Sequence, residues 1–583
     1  MPTLEWIGKN KVINHHLEVP FRVLERQYSF DADGQHDADN SSENMIIRGD
    51  NLEALKALLP RFEGKVKCIY IDPPYNTGNE GWVYNDNVND PKIRRWLGEV
   101  VGKEGEDLTR HDKWLCMMYP RLKLLHKLLA DDGVIFISID DTEYANLKAV
   151  CDEIFGSNCF VSNISWQRTY STRNDSKGIV NEVEHILCYS KQPDWQPNKL
   201  PRTAEMDSLY KNPDNDVMPW ASDNPFAPGA ATHQGMVYAI QHPFSGKMLY
   251  PSSGACWRYQ QDAMLEIMNG WTDYELRDLD DAAERARVCG IDVSEVRQGV
   301  KAIVLSKPLD QALADAQNIL KRGKWPKFYF TQNGKGGIRR KTYLSNVGGK
   351  PPTNFWPHTE TGHTDAAKKE MLAIFDGRAT FDTPKPSRLI EFVLRIAADQ
   401  DALILDSFAG SGTTAHAVLN MNKADEGHRR FILVEMMDYA DSITAERVKR
   451  VISGYGSGKS AVPGTGGDFS FYDLGEPLMI GDDLNEAVGT EKIRDYIWYT
   501  ETRQPLPASK SDHPYLLGTN NGTAYYFFYE PDSVTVLDHA FLSTITEKAE
   551  GFIIYADRCA LPENRLAELG IVFKKIPRDI TRL

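Results

Sequence analysis

Eight cysteines are spread over 583 residues, at positions 68, 116, 151, 159, 188, 256, 289 and 559, and no two of them form a Cys-x-x-Cys pair. Neither a zinc knuckle nor a disulfide framework is indicated, and the thiols read as buried packing groups. Long apolar runs are also missing: none reaches the span of a membrane helix. The opening residues Met1-Pro2-Thr3-Leu4-Glu5-Trp6 lack the basic and apolar regions of a secretory leader, so a cytoplasmic protein with no membrane partner is expected. His358 and His363 flank Glu360, but no His-Glu-x-x-His helix or third ligand accompanies them, and no metal site is expected. Gly454-Tyr455-Gly456-Ser457-Gly458-Lys459-Ser460 ends like a phosphate loop. The register fails, because the glycine needed five places before Gly458 is Ser453, and a linker is the better reading.

What is present is a globular composition, 41% hydrophobic and 26% charged, long enough for three or four structural units. The net charge of −15 argues against a polyanionic partner only if charge is evenly spread, and it is not. Between 321 and 343 stand Lys321, Arg322, Lys324, Lys327, Lys335, Arg339, Arg340 and Lys341 with no acidic residue, interleaved with Trp325, Phe328, Tyr329 and Phe330. Basic side chains there can neutralise phosphates, and aromatic rings can stack on unpaired bases or prop a loop. Lys335, Arg339, Arg340 and Lys341 are the candidate DNA contacts. The plainer alternative is a solvated basic loop over a small aromatic core.

Two motifs carry the chemistry. The apolar run 66–71 closes on Asp72-Pro73-Pro74-Tyr75. At the carboxyl end of a buried strand, where ligands of parallel sheets sit, this tetrad sets a carboxylate and a prolyl carbonyl as acceptors for a planar amine, with Tyr75 as a stacking face. A simple turn is the alternative, since Pro-Pro is ordinary punctuation. More than 300 residues later, the run 402–405 leads into Asp406-Ser407-Phe408-Ala409-Gly410-Ser411-Gly412-Thr413-Thr414 and then into a helical pattern. Glycines at 410 and 412 allow a sharp bend and close approach of the backbone to a ligand, while the next helix offers free N–H groups. A second strand, 430–434, ends in Glu435, at a spacing that suits an acid binding ribose hydroxyls. The third glycine of the dinucleotide fingerprint is absent, which disfavours nicotinamide cofactors.

Together, Phe-x-Gly-x-Gly and Asp-Pro-Pro-Tyr resemble the signature of amino-directed DNA methyltransferases that use S-adenosylmethionine. No cysteine follows a proline, so the Pro-Cys nucleophile of cytosine-C5 enzymes is missing. The order of the motifs, with a long region between them, resembles the β-class. The resemblance implies a Rossmann-like α/β methyltransferase sheet in which Asp72, Pro73, Pro74 and Tyr75 hold the target base, and Asp406, Phe408, Gly410, Gly412, Thr413 and Glu435 hold the cofactor. Lys385, in Phe381-Asp382-Thr383-Pro384-Lys385-Pro386, matches the segment that folds over the cofactor's methionine end; a proline-defined helix start accounts for it equally. Asp50, in Gly49-Asp50-Asn51, borders the base or cofactor pocket by resemblance, or caps the helix that follows. Asp at the head of the tetrad favours N6 of adenine over N4 of cytosine.

Outside this core, Trp6-Ile7-Gly8-Lys9, residues 132–141, Cys256-Trp257-Arg258-Tyr259 and the closing 573–578 resemble modification subunits of type III restriction systems. That implies double-stranded DNA as substrate, a homodimer and a helicase-nuclease restriction partner, since the chain itself carries no helicase box or nuclease constellation. A stand-alone methyltransferase, an N4-cytosine or RNA enzyme, and a non-catalytic DNA-specificity subunit are the alternatives. The expected partition is an N-terminal arm (1–45), a catalytic half (46–165), an inserted target-recognition region with a helical insertion (166–349), a cofactor half (350–452), a Gly/Ser-rich linker (453–468) and a small C-terminal α/β domain (469–583).

Overall fold

The computed structural model describes residues 3–77, 110–170, 178–507 and 513–578. They form two compact units, 1–198 together with 352–583, and 199–351.

The larger unit is built on one sheet. Its strands among the described residues are β1 (Arg22–Asp31), β2 (Gly34–His36), β3 (Met45–Arg48), β4 (Val66–Ile71), β5 (Leu129–Ile139), β6 (Phe160–Gln167), β7 (Val183–Ser190), β8 (Phe355–Trp356), β9 (Leu403–Asp406), β10 (Arg430–Glu435) and β11 (Phe469–Pro477), in the order β8-β6-β7-β5-β4-β9-β10-β3-β11-β1-β2. The centre, β5-β4-β9-β10-β3, is parallel, and both flanks turn antiparallel. Strands covered on both faces need no polar side, which is why β4 and β9 read as continuous apolar runs. The chain leaves β4 toward β5 on one side and leaves β9 toward β10 on the other. The crevice between their carboxyl ends is therefore a topological switch point, the position where such sheets bind ligands.

Three expected boundaries move. β7, expected in the inserted region, pairs with β5 and β6 inside this sheet, because its apolar alternation is that of a covered strand. β1 and β11, expected in the N-terminal arm and the C-terminal domain, pair with each other and extend the same sheet. The remaining C-terminal residues form a separate four-stranded sheet, Leu516–Asn520, Thr523–Phe527, Gly551–Ala556 and Ile571–Lys575, beside the helix Thr490–Thr502. The Gly458–Ser460 turn joins two short antiparallel strands, Gly454–Tyr455 and Val462–Pro463, and no helix opens directly after it as a phosphate loop would require.

The smaller unit packs an aromatic core, with Tyr238, Trp257, Trp271, Phe328 and Phe330 fully enclosed. Its strands Phe328–Phe330, Ile338–Tyr343 and Trp220–Asp223 form one antiparallel sheet. The helical insertion expected within 166–349 also contains paired strands, Tyr274–Arg277 and Ala302–Leu305, because its apolar residues there cluster in short runs. Among the described residues no helix is long and apolar enough to cross a membrane.

Candidate active site

β4 and β9 are hydrogen-bonded neighbours, with Ile69 opposite Leu405. That register sets the end of β4, where Asp72 follows, beside the end of β9, where Asp406 stands. One pocket is lined by residues of both motifs: Tyr70 and Asp72 from the first, Asp406, Phe408, Gly410, Thr413 and Thr414 from the second, and Phe381, Thr383 and Lys385 from the intervening segment.

The glycine turn is held from several sides. Asp406 accepts from the Phe408 N–H at 3.0 Å and from the Thr414 hydroxyl at 2.6 Å, closing the turn on itself. Burial pushes its carboxyl up to about 7, with Asp72 and Glu435 adding to the effect. Gly410 and Gly412 have φ of +51° and +79°, and a Cβ on Gly412 would stand 2.9 Å from the Thr444 carbonyl oxygen. Only glycine fits there without movement. Glu435 accepts from the Gly410 N–H at 2.8 Å and from the Met437 N–H at 2.9 Å, so in this structure the expected ribose ligand braces the turn. Thr413, which opens the following helix, donates to the Lys385 carbonyl at 3.2 Å.

The tetrad is equally enclosed. The Tyr75 hydroxyl stands 2.7 Å from Asp72 and 2.5 Å from Glu184 of β7, two carboxylates that share its one proton as acceptors. The indole of Trp114 donates to the Pro74 carbonyl at 2.6 Å, which leaves the Pro73 carbonyl as the prolyl acceptor without a donor among the described residues. Lys385 reaches the same cluster: its ammonium lies 2.8 and 2.9 Å from the two Asp72 oxygens, 2.7 Å from the Tyr75 hydroxyl and 3.0 Å from Glu184. Burial works against that ammonium, but Asp72 and Glu184 hold it above the usual lysine range. Burial, and secondarily the nearby Glu184 charge, lifts Asp72 above the usual carboxylate range even with Lys385 attached. Lys385 bridges the two carboxylates, and Arg168 stands 3.7 Å from Glu184 on its other oxygen.

Several expectations need correction. Lys385 is expected at the cofactor, yet only its carbonyl meets the glycine turn, through Thr413, while its ammonium joins the tetrad. Tyr75 offers no open face: it is 7% exposed and Lys385 sits over its ring at 5.0 Å. Asp50 caps the helix Asn51–Phe62, accepting from the Leu52 N–H at 2.8 Å, and pairs with Arg121 at 3.2 Å. It does not line the pocket.

The smaller unit corrects the basic patch. Lys341 is buried, bonded to Asp214, to Asp216 at 2.6 Å and to the Trp325 carbonyl at 2.7 Å, so it cannot meet a phosphate. Its strand is the central one of three, and its side chain points into the core. Arg340 is paired with Asp223. Lys335 and Arg339 are exposed, whereas Phe328, Tyr329 and Phe330 are core.

Sequence reasoning missed Glu184, Trp114 and Arg447. Glu184 lies within an apolar strand, and an acid in such a run signals a buried partner. Arg447 is fully buried, donating to Ser411 at 2.9 Å, Thr413 at 2.8 Å and Glu370 at 2.9 Å, while Glu370 accepts from the Ser387 hydroxyl. It ties the glycine turn to the segment carrying Lys385.

Comparison with known proteins meets this geometry. The StyLTI type III restriction-modification Mod subunit of Salmonella typhimurium is 32% identical over 476 residues, covering 76% of this chain and 62% of that one. The EcoPI type III Mod subunit of Escherichia phage P1 is 29% identical over 468 residues, with 74% and 63% covered. The type II methyltransferase M.KpnI of Klebsiella pneumoniae is 29% identical over 407 residues, with 68% and 81% covered. The chain thus spans less than two thirds of the two Mod subunits. The family model described as DNA methylase matches residues 66–446, from the first residue of β4 past the glycine turn and Glu435, and this chain belongs to that family.

Proposed function

We propose that the protein methylates the N6 amine of adenine in double-stranded DNA, using S-adenosylmethionine, as the modification subunit of a type III restriction system that works with a second copy of itself and a helicase-nuclease partner. The observation that carries this reading is the single pocket bounded by Asp72 on one side and the Asp406–Gly410–Thr413 turn on the other.

The pocket's residues fit the cofactor. The turn brings backbone close to a ligand at glycines where a side chain has no room, Phe408 supplies an apolar wall, and Asp406 is an acid facing a cationic molecule. When bound, S-adenosylmethionine would supply an electrophilic methyl group, giving up its carbon–sulfur bond and leaving as the neutral thioether. The chain's own residues handle the amine. An adenine in a duplex is paired, so it has to be extruded at a cost of about a few kcal/mol. Asp72 and the Pro73 carbonyl then accept the two amine hydrogens and turn the nitrogen lone pair toward the methyl carbon. As the N–C bond forms, positive charge grows on N6 beside Asp72. Its burial-raised proton affinity suits it to take the proton that N6 must lose. No covalent enzyme intermediate is required.

Single-molecule sequencing of DNA from cells expressing the chain tests this directly. N6-methyladenine at one recurrent motif is expected, falling by about a hundredfold or more in Asp72→Asn, which keeps the side chain's size but removes its charge. Methylated cytosine, or no methylation, would overturn the reading.

A further inference from the structure

Lys385 is buried, and its ammonium finds four acceptors within 3.0 Å: both oxygens of Asp72, the Tyr75 hydroxyl and Glu184. Three N–H bonds cannot satisfy four acceptors fully. The other groups facing the cluster are Tyr70, Asp140, Asp406 and Arg168, whose guanidinium stands 3.7 Å from Glu184. The site is therefore built for a nitrogen donor and has more accepting capacity than the lysine uses.

Asp72 is also the acceptor assigned above to the target amine. A lysine nitrogen and an adenine N6 make the same kind of bond to it, N–H to carboxylate. They cannot use the same lone pairs together, and an ammonium held beside N6 would oppose the positive charge that develops there during transfer. Without Lys385, Asp72 and Glu184 would face each other across the Tyr75 hydroxyl with buried acceptors left unfilled. A side chain that occupies the acceptors until a base arrives avoids both problems.

We propose that Lys385 stands in for the target amine: in the DNA-free protein its ammonium bonds Asp72, Tyr75 and Glu184 into one arrangement, and it yields those acceptors when the base enters. This rests on the function proposed above. Lys385 is a positioning residue in this account, competing with substrate instead of binding cofactor.

Competition has a signature that a purely structural lysine lacks. Once sequencing has identified the motif, the full-length protein is titrated with two duplexes, one carrying adenine at the target and one carrying purine, which lacks only the amine. The ratio of their dissociation constants measures what the amine contributes, and differences in base-pair strength cancel when the ratio is compared between proteins. In the wild type the amine gains only what the lysine gives up, so a ratio within about twofold is expected; Lys385→Met should raise it to about fivefold or more, and Lys385→Arg should not. Lys385→Leu, which likewise lacks an N–H, serves if the methionine variant does not fold. S-adenosylmethionine affinity, measured by calorimetry, should change by less than about threefold. Equal ratios in wild type and the neutral variant would overturn the assignment, and lost cofactor affinity with equal ratios would return Lys385 to the cofactor site. Transfer of labelled methyl groups by the wild type is measured alongside. Its absence would overturn the methyltransferase reading itself, whereas transfer with equal ratios would overturn only the role of Lys385.

Discussion

At the scale of single residues, the site is governed by carboxylates taken out of water. Asp406 makes two hydrogen bonds that favour its charged form, yet burial outweighs them and lifts it from 3.8 to about 7. The native state then keeps a proton that the unfolded chain releases, so this residue lowers stability as pH rises from about 4 to about 7. Binding of a cationic cofactor has the opposite preference, because it favours the ionised carboxylate. Affinity for S-adenosylmethionine should therefore increase from about pH 6 to about pH 8, by up to about tenfold per unit below the pKa, and then level off. Asp406→Asn should flatten that profile, and calorimetry at several pH values reads it; a wild-type profile that is already flat would remove Asp406 from the cofactor site. Asp72 and Asp406 were both legible in the sequence as acids at strand ends. Their protonation was not, because it depends on neighbours distant in the chain, such as Glu184 and Lys385.

At the scale of elements, the strand–turn–helix around Gly410 is the most constrained piece of the molecule. Gly412→Ala places a methyl group 2.9 Å from the Thr444 carbonyl at a φ of +79°. The backbone strain alone costs about 1–2 kcal/mol. The clash adds displacement of the turn, so a lower melting temperature together with at least about tenfold weaker cofactor binding is expected. Gly377→Ala is the matched control. Its φ is +81°, but nothing lies within 4 Å of the added methyl, so its melting temperature should fall without loss of cofactor affinity. Similar cofactor affinity in the two variants would mean that the turn does not touch the ligand. Periodicity and glycine spacing gave this element in advance. The brace behind it, Arg447 with Glu370 and Ser387, was invisible because each residue sits on a different helix or helix start, and nothing local marks them as partners.

At the scale of the whole molecule, the chain divides its labour by interruption: residues 199–351 form their own compact unit inside the sequence of another. Within that unit the basic stretch splits into two populations. Lys335 and Arg339 are exposed, and replacing both by glutamine should weaken DNA binding and reduce the slope of log affinity against log salt by about 1.8 if both meet phosphates. Lys341→Ala should instead destabilise the unit by about 3 kcal/mol, since it strands the buried Asp214 carboxylate. Salt titrations and urea melts separate these outcomes. A salt slope left unchanged by the double replacement would exclude both side chains as phosphate contacts.

The sequence by itself determined the chemistry-bearing elements: an acid-Pro-Pro-aromatic strand end, a glycine turn and an acid-terminated strand, each written in consecutive residues because strand burial and backbone bends are local demands. It also set their order, and so the split between catalytic and cofactor halves. Only the tertiary structure decided which side chains share a site. Lys385 and Glu184 join Asp72 from 313 and 112 positions away in the chain, as the numbering gives directly. Lys341, which looks like its exposed neighbours in a list of residues, is drawn inward by two aspartates. Charge burial is settled by what the fold packs against a group, and no stretch of sequence around that group records it.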